Sequence, residues 1–362
     1  MAKQILFLVP YPLRESPSQR FRFEQYFTLL QSRGYSYTVL SFLNSDDWKA
    51  FFKPGKILIK FWSLGSGLVK RLIVLFKSPM YDFVFIHREA TPLGPPIFEW
   101  ILAKVLKKNI IYDFDDAIWL TDRQNESALL RMLKWRSKVG LICKWSHKVS
   151  CGNEYLCRFA ATFNKNVVYN PTTIDTENLH KPAFFKQDAT SQNKITIGWT
   201  GSHSTLKYLK EIEPVIDKIT KEYPHVEFIV IADRKPILHD LTSMTFIPWN
   251  SETEMRDLMR LDIGIMPLPD DKWAQGKCGF KALQYMAIER PVVASPVGVN
   301  STIIDEGLNG FLCRSPREWE EALIKLIKDP ELRKAMGVNG RKKVVENYSI
   351  LSNTSTFLSL FE

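Results

Sequence analysis

Short apolar runs alternate with stretches of helical periodicity along the whole chain, and the alternation is played through twice. That pattern admits parallel sheets joined by crossover helices and little else. In the first half, strands are expected at Gln4–Val9, Tyr37–Ser41, Phe83–His87, Asn109–Asp113, Lys148–Cys151 and Val167–Tyr169. Phe23, Tyr26, Phe27 and Leu30 share one face of a helix expected over Phe21–Ser32, with Gly34 as its stop. Residues 170–193 are polar, contain Pro171 and Pro182 and have no apolar periodicity, so they read as a linker. The second half restarts with strands expected at Lys194–Trp199, Val226–Ala232, Met244–Ile247, Ile263–Pro267 and Pro291–Ala294. Helices are expected up to Tyr223, over Ser251–Arg260 and Lys281–Ile288, and after Pro316 and Pro330. The expected fold class is therefore α/β, with doubly wound domains at 1–169 and 194–346 and a tail at 347–362 packing back on the first domain. Such sheets bind ligands beyond the carboxyl ends of their strands.

The length of 362 residues agrees with two domains rather than one core. The formal charge of +10 is unevenly placed. Through His180 there are 25 Lys and Arg against 15 Asp and Glu, and from Lys181 onward 24 against 24, so the excess belongs to the first half. A basic surface points to a polyanion or an anionic membrane. In the first half Lys53, Lys56, Lys60, Lys70, Arg71 and Lys77 alternate with Phe51, Phe52, Ile57, Leu58, Phe61, Trp62 and the Leu68–Phe76 apolar cluster, a composition suited to an anionic bilayer surface. Ile97–Lys108 and Ala128–Lys148 are also basic. Nucleic acid is not the expected partner, because no recognised binding motif accompanies the charge. Charges at Lys60, Lys70 and Arg71 interrupt the longest apolar stretch, which excludes a spanning helix there. Ile5–Val9 reads as a strand rather than a signal-peptide core. Five cysteines, none at zinc-finger spacing, suit a reducing compartment.

Two segments of the second half carry phosphate-type chemistry. Gly198-Trp199-Thr200-Gly201-Ser202-His203-Ser204-Thr205-Leu206-Lys207 follows a strand and opens a helix, offering close backbone approach at Gly201, hydroxyls at Ser202, Ser204 and Thr205, and a cation at Lys207. In Gly276-Lys277-Cys278-Gly279-Phe280-Lys281-Ala282-Leu283-Gln284, Gly279 precedes a helix whose first turn holds Lys281. A cation there opposes the helix dipole unless a negative ligand lies nearby, which a diphosphate would provide. Gln284 falls on the same side, one turn on.

The run from Gly276 to Gly298, with its continuation Ile304-Asp305-Glu306-Gly307-Leu308-Asn309-Gly310-Phe311-Leu312, resembles the donor-binding stretch of the group 1, or family 4, retaining glycosyltransferases of the GT-B fold. The resemblance is dense from Ile195 to about Ser349 and thins in the first half. It implies two Rossmann-like domains facing across a cleft and a nucleoside-diphosphate sugar as donor. Lys207 and Lys281 become the expected pyrophosphate ligands, with Gly201, Ser202, Gly279 and Phe280 beside them. Lys207 keeps the family's interval from Gly201, while Ser202 replaces an Arg. Gln284 stands where the family has the second Glu of a pair that holds the ribose, and Gly276 stands where it has the first. Trp249, after a strand, would wall the base.

In the first half, Ser18, Arg20 and Arg22 occupy the family's Gly-Gly turn at the donor phosphate and are candidates for an anionic donor or acceptor group. Asp115 stands where many relatives have a His that contacts the transferring sugar. With Asp116 and His87 it completes the candidate catalytic set, through a carboxylate that would orient the acceptor hydroxyl, take its proton or steady an oxocarbenium charge. The expected reaction is transfer of a sugar to an acceptor hydroxyl with retention, in polysaccharide or glycolipid assembly. No cofactor or metal is expected, since two lysines neutralise the diphosphate, and the acceptor is a saccharide or a lipid-linked molecule. The expected location is cytoplasmic, peripheral at the inner face of the cell membrane. Three alternatives stay open on the sequence. Asp113-x-Asp115 resembles the metal-binding acidic motif of the other large glycosyltransferase fold. A sugar-nucleotide epimerase of similar architecture is another, and a non-catalytic sugar-nucleotide-binding relative is the third.

Overall fold

The computed structural model describes residues 3–51, 55, 57–121, 126–184, 194–238, 241 and 243–362. Phe52, Lys53 and Lys56 of the basic apolar segment, and 185–193 of the expected linker, lie outside the described residues. Packing divides the chain into two units, Met1–Thr172 with Asn353–Glu362, and Thr173–Ser352.

The first unit holds strands β1 (Gln4–Val9), β2 (Ser36–Ser41), β3 (Phe83–His87), β4 (Asn109–Phe114), β5 (Lys148–Cys151) and β6 (Val167–Tyr169). They form one parallel sheet in the order β2-β1-β3-β4-β5-β6. Strands β1, β3 and β4 are buried on both faces, which explains their unbroken apolar runs. Its helices are α1 (Pro17–Arg20), α2 (Phe27–Ser32), α3 (Ser45–Phe51), α4 (Ile57–Lys77), α5 (Ile97–Trp100, continued by a π turn over Ile101–Val105), α6 (Ala128–Lys134), α7 (Lys138–Trp145) and α8 (Glu154–Ala161). The helix expected over Phe21–Ser32 is instead a short 3₁₀ turn, Glu24–Tyr26, followed by α2. The backbone breaks between α1 and that turn, where Arg22 and Phe23 both turn into the interior.

The second unit holds β7 (Ile195–Gly201), β8 (Val226–Ala232), β9 (Thr245–Pro248), β10 (Ile263–Met266), β11 (Val292–Ala294) and β12 (Gly310–Leu312), parallel in the order β12-β11-β10-β7-β8-β9. Helices α9 (Glu213–Glu222), α10 (Glu254–Leu258), α11 (Phe280–Ala287), α12 (Asn300–Ile303), α13 (Pro316–Lys328) and α14 (Pro330–Asn347) accompany it. The core on one side joins Ile197, Trp199 and Val230 of the sheet to Ile216 of α9 and Leu323 of α13. Lys207 lies in a 3₁₀ turn, Leu206–Glu211, rather than in the expected helix. Pro214 in the first turn of α9 has no N–H to give, so the α-helical ladder starts only there. Ile174 is buried and bridges to Ser349, and the Arg341 guanidinium donates to the carbonyls of Thr176 and His180. Residues 173–180, read from sequence as linker, thus pack within the second unit.

Helix α15 (Thr354–Leu358) belongs to the first unit. Phe357 stacks on Tyr26 with ring centroids 4.1 Å apart, Phe361 meets Phe83 edge-on at 5.7 Å, and Lys3 donates to the Phe361 carbonyl. Two aromatic side chains buried in this way give the last ten residues an apolar anchor worth about 1.5–3 kcal/mol each.

Candidate functional site

In the second unit, the carboxyl end of β7 and the start of α11 are drawn together by Tyr285. Its ring packs over Gly264, where a Cβ would overlap it, and its hydroxyl accepts from the Thr200 N–H at 2.8 Å. Burial pushes the Tyr285 phenol up, so it is neutral whenever the protein is folded near neutral pH. That bond fixes α11 against the sheet. One turn earlier, Lys281 lies across the end of β7, its Nζ 5.4 Å from the Trp199 ring centroid. Gly201 leaves the space for it, because a Cβ there would overlap the Trp199 ring and come within 2.9 Å of Lys281 Cε.

Helix α11 begins after Gly279, which has φ +68°. A side chain there would strain the backbone and also collide with Ile303. The first turn contains no acidic residue, so its N–H groups and Lys281 share one positive end. Behind it Gln284 is almost fully buried, and its Nε2 has no hydrogen-bond partner among the described residues. A buried amide left without an acceptor costs about 1–3 kcal/mol, which a ligand oxygen or water at that position would recover.

The loop after β7 is internally bonded. Ser202 Oγ lies 2.9 Å from Ser204 Oγ, and Thr205 Oγ1 donates to the Ser202 carbonyl at 3.0 Å. Asp233, just beyond β8, accepts from the His203 N–H at 2.5 Å and lies 2.6 Å from His203 Nδ1. This anchor was missed from sequence, although an Asp at the carboxyl end of a strand in the nucleotide half is a signal of the right kind. Lys207 is exposed, with its Nζ 5.3 Å from the Tyr208 ring centroid. Trp249 is half-buried and donates from Nε1 to Glu254 at 3.2 Å. Phe280 is half-buried at the head of α11.

In the first unit, the carboxyl ends of β1, β3 and β4 enclose a charged network. Asp113 is fully buried and carries an ion pair with Arg22, a 2.8 Å contact with His87 Nδ1 and a 2.6 Å bond from Ser150 Oγ. Burial by itself would raise its pKa, but Arg22 and His87 outweigh that and hold the carboxyl below its ordinary range. Arg22 also donates to the Asn170 carbonyl. Its guanidinium is spent inside the domain, so the reading of Arg22 as an anion ligand is corrected. His87 is fully buried and faces Ser18 Oγ at 3.4 Å through Nε2, which makes it part of this network rather than a surface acid or base. Ser18 is half-buried beside it, and Arg20 lies over the Phe21 ring at 5.0 Å.

Asp115 and Asp116 are partly open, and both are held by Arg88 at 2.7 and 2.5 Å. Arg88 adopts φ +61° just after β3, secured by its N–H to the Asp113 carbonyl and by Tyr112 Oη donating to its own carbonyl. The three charges leave one net negative charge. Arg88 pairs with Asp115 across 27 residues, and such a pairing has no local signature in the sequence.

Residues 194–329 match the family model described as Glycosyl transferases group 1. Over that stretch, just over a third of its length, the chain is similar to this family. The chain is 38% identical over 66 residues to an uncharacterized glycosyltransferase, MJ1178, of Methanocaldococcus jannaschii, covering 18% of this chain and 19% of that protein. It is 38% identical over 72 residues to the human alpha-1,3/1,6-mannosyltransferase ALG2, covering 20% and 17%. The matched stretches thus span about a fifth of these relatives' own length. A glycosyltransferase from Rickettsia africae superposes with a TM-score of 0.69 at 14% identity, over 99% of this chain and 97% of that one. Anabaena Alr3699/HepE, crystallised with UDP and glucose, gives 0.65 at 15% identity, over 99% and 98%. The two parallel six-stranded sheets are those of the GT-B glycosyltransferases.

The matched stretch includes Gly201, Lys207, Trp249, Gly279, Lys281 and Gln284. Gly201→Ala is the simplest test of how Lys281 is seated. Lys281 or the core residue Trp199 must move to admit the methyl group, so nucleotide-sugar affinity measured by calorimetry is expected to fall at least about tenfold, with a loss of stability of about 1–3 kcal/mol from the overpacked core. Unchanged affinity would show that the Lys281 position does not matter.

Proposed function

We propose that this chain transfers a sugar from a nucleoside-diphosphate sugar to an acceptor hydroxyl, with retention, in polysaccharide or glycolipid assembly. The observation that carries the reading is the seat of Lys281 over Gly201 and Trp199 at the acid-free start of α11, next to the buried, unpartnered Gln284 amide. A diphosphate satisfies this positive end, and Lys207 on the neighbouring loop supplies a second cation. The crystal structure of Alr3699/HepE with UDP and glucose supports a uridine nucleotide as the first donor to test. The leaving diphosphate governs the chemistry, since charge develops on it as the glycosidic bond breaks, and fixed cations and helix N–H groups stabilise that charge without reorganising. Asp115 and Asp116, restrained by Arg88, would orient the acceptor hydroxyl.

The test is a thermal-shift screen of nucleoside-diphosphate sugars. At about 100 times the dissociation constant a true donor contributes about 2.7 kcal/mol, which for domains of this size raises the midpoint by about 5–10 °C. No shift with any donor would overturn the reading. Release of nucleotide when acceptor is added marks transfer, whereas a 2-epimer of the donor would mark an epimerase. Turnover is expected to survive a chelator, and loss of turnover would move the diphosphate from the lysines to a metal.

A further inference from the structure

Helix α4 is built inside out. Along its 21 residues the positions that face the protein are Ser63, Gly67, Arg71 and Val74, while Leu58, Phe61, Trp62 and Phe76 are 85, 69, 78 and 85% exposed. An ordinary surface helix turns its apolar stripe inward. This one is fastened by polar staples instead. Arg71 is fully buried and donates to the carbonyls of Val9, Leu40 and Ala90, and Ser63 donates to Asp47 at 2.6 Å. Gly67 lets the Phe42 ring approach so closely that a Cβ would overlap it. These contacts hold the large apolar side chains outward.

The same face continues beyond α4. Helices α4 and α5 pack together, as do α5 and α7, on the side of the sheet reached by the crossovers from β2 to β3, β3 to β4 and β4 to β5. Ile97, Trp100 and Val105 are exposed along α5 and its π turn, and Leu129, Met132 and Trp135 are exposed on and just after α6. Charge on α4, and on α6 with α7, has one sign. Between Asp47 and Asp82 the sequence has seven Lys and Arg and no Asp or Glu, and between Glu126 and Glu154 it has six and none. Among the described residues no helix is long and apolar enough to cross a membrane.

We infer that this face of the first unit docks on an anionic lipid bilayer, with α4 lying in the interfacial plane, its Leu, Phe and Trp side chains among the acyl chains and its lysines at the headgroups. Trp, Phe and Leu exposed together and bordered by Lys are the composition of an interfacial helix. A second copy of this chain is disfavoured as the occupant, because two-fold pairing sets the face against itself and brings lysines against lysines. The inference rests on the proposed activity only for the cargo, a lipid-linked or otherwise anionic acceptor presented at that surface. Docking itself does not require it.

Flotation of the full chain with phosphatidylcholine vesicles, with and without phosphatidylglycerol, tests the assignment. Binding is expected only with the anionic lipid and should weaken in high salt. Trp62→Ser combined with Phe76→Ser is expected to lower the bound fraction at least about tenfold, because two large apolar side chains are withdrawn from the bilayer. Both sites are exposed, so circular dichroism and the unfolding midpoint should match the wild type. Leu351→Ser, an exposed apolar site of the second unit, should bind as wild type. Three results overturn the inference: a wild-type chain that stays with the lipid-free fraction at low salt, a double variant that floats unchanged, or a dimer in sedimentation velocity that the double variant dissociates. Thermal shift with donor is read on the same preparations, so failure to dock and failure to bind a nucleotide sugar are separate outcomes.

Discussion

Lys281→Ala is expected to lower kcat/KM for sugar transfer, or for donor hydrolysis where no acceptor is supplied, by about 100- to 1000-fold, the usual loss when one fixed charge on a developing anion is removed from an enclosed site. The cation over the Trp199 ring that the variant loses is worth about 0.5–1 kcal/mol at a part-exposed position, and circular dichroism with the unfolding midpoint checks that the fold survives. Stability and turnover therefore separate by several kcal/mol, and the comparison is decisive. Lys281→Arg retains charge but is longer and planar, and Gly201 leaves little room beyond the present Cε, so only partial rescue is expected. Turnover equal to wild type in Lys281→Ala would remove the donor assignment, and an unfolded variant would make Lys281 structural.

Local chemistry explains why the second half was legible from sequence. Gly279 before α11, Lys281 in its first turn and Gln284 one turn later are neighbours in sequence and in space, so spacing alone places them together. The strands were equally readable, since β1, β3 and β4 are buried on both sides and carry continuous apolar runs. Strand β12 escaped notice because three residues, Gly310-Phe311-Leu312, are too few to show a period. What could not be read is long-range polar pairing. Arg22 sits in a Ser-rich loop where an anion ligand is a fair reading, yet its partner is Asp113, 91 residues away. His87 ends a strand as a catalytic residue does, and only the fold shows that its ring closes onto Asp113 and Ser18. Helix α4 was basic and apolar in sequence, but which stripe faced inward depended on Arg71 finding three carbonyls on different segments.

Asp113→Asn should destabilise the first unit by about 3–5 kcal/mol, because it removes the counter-charge from a buried guanidinium and leaves the Arg22 charge desolvated without its carboxylate. The pH dependence supplies a second readout. In the wild type the carboxyl is held below its ordinary range, although burial opposes this, because Arg22 and His87 favour the charged form. A depressed carboxylate contributes stability that is complete above the unfolded pKa of about 4 and is lost as pH falls through the lower folded value. Denaturant midpoints of the wild type should thus hold from neutrality to about pH 4 and decline below it, and Asp113→Asn should lack that component of the acid slope. The double replacement Arg22→Met with Asp113→Leu removes both charges together and is expected to be milder than Asp113→Asn alone, since no buried charge is then left unmatched. If the single variant is as stable as wild type, Arg22 is not confined to Asp113, and it returns as a ligand for an anionic substrate group.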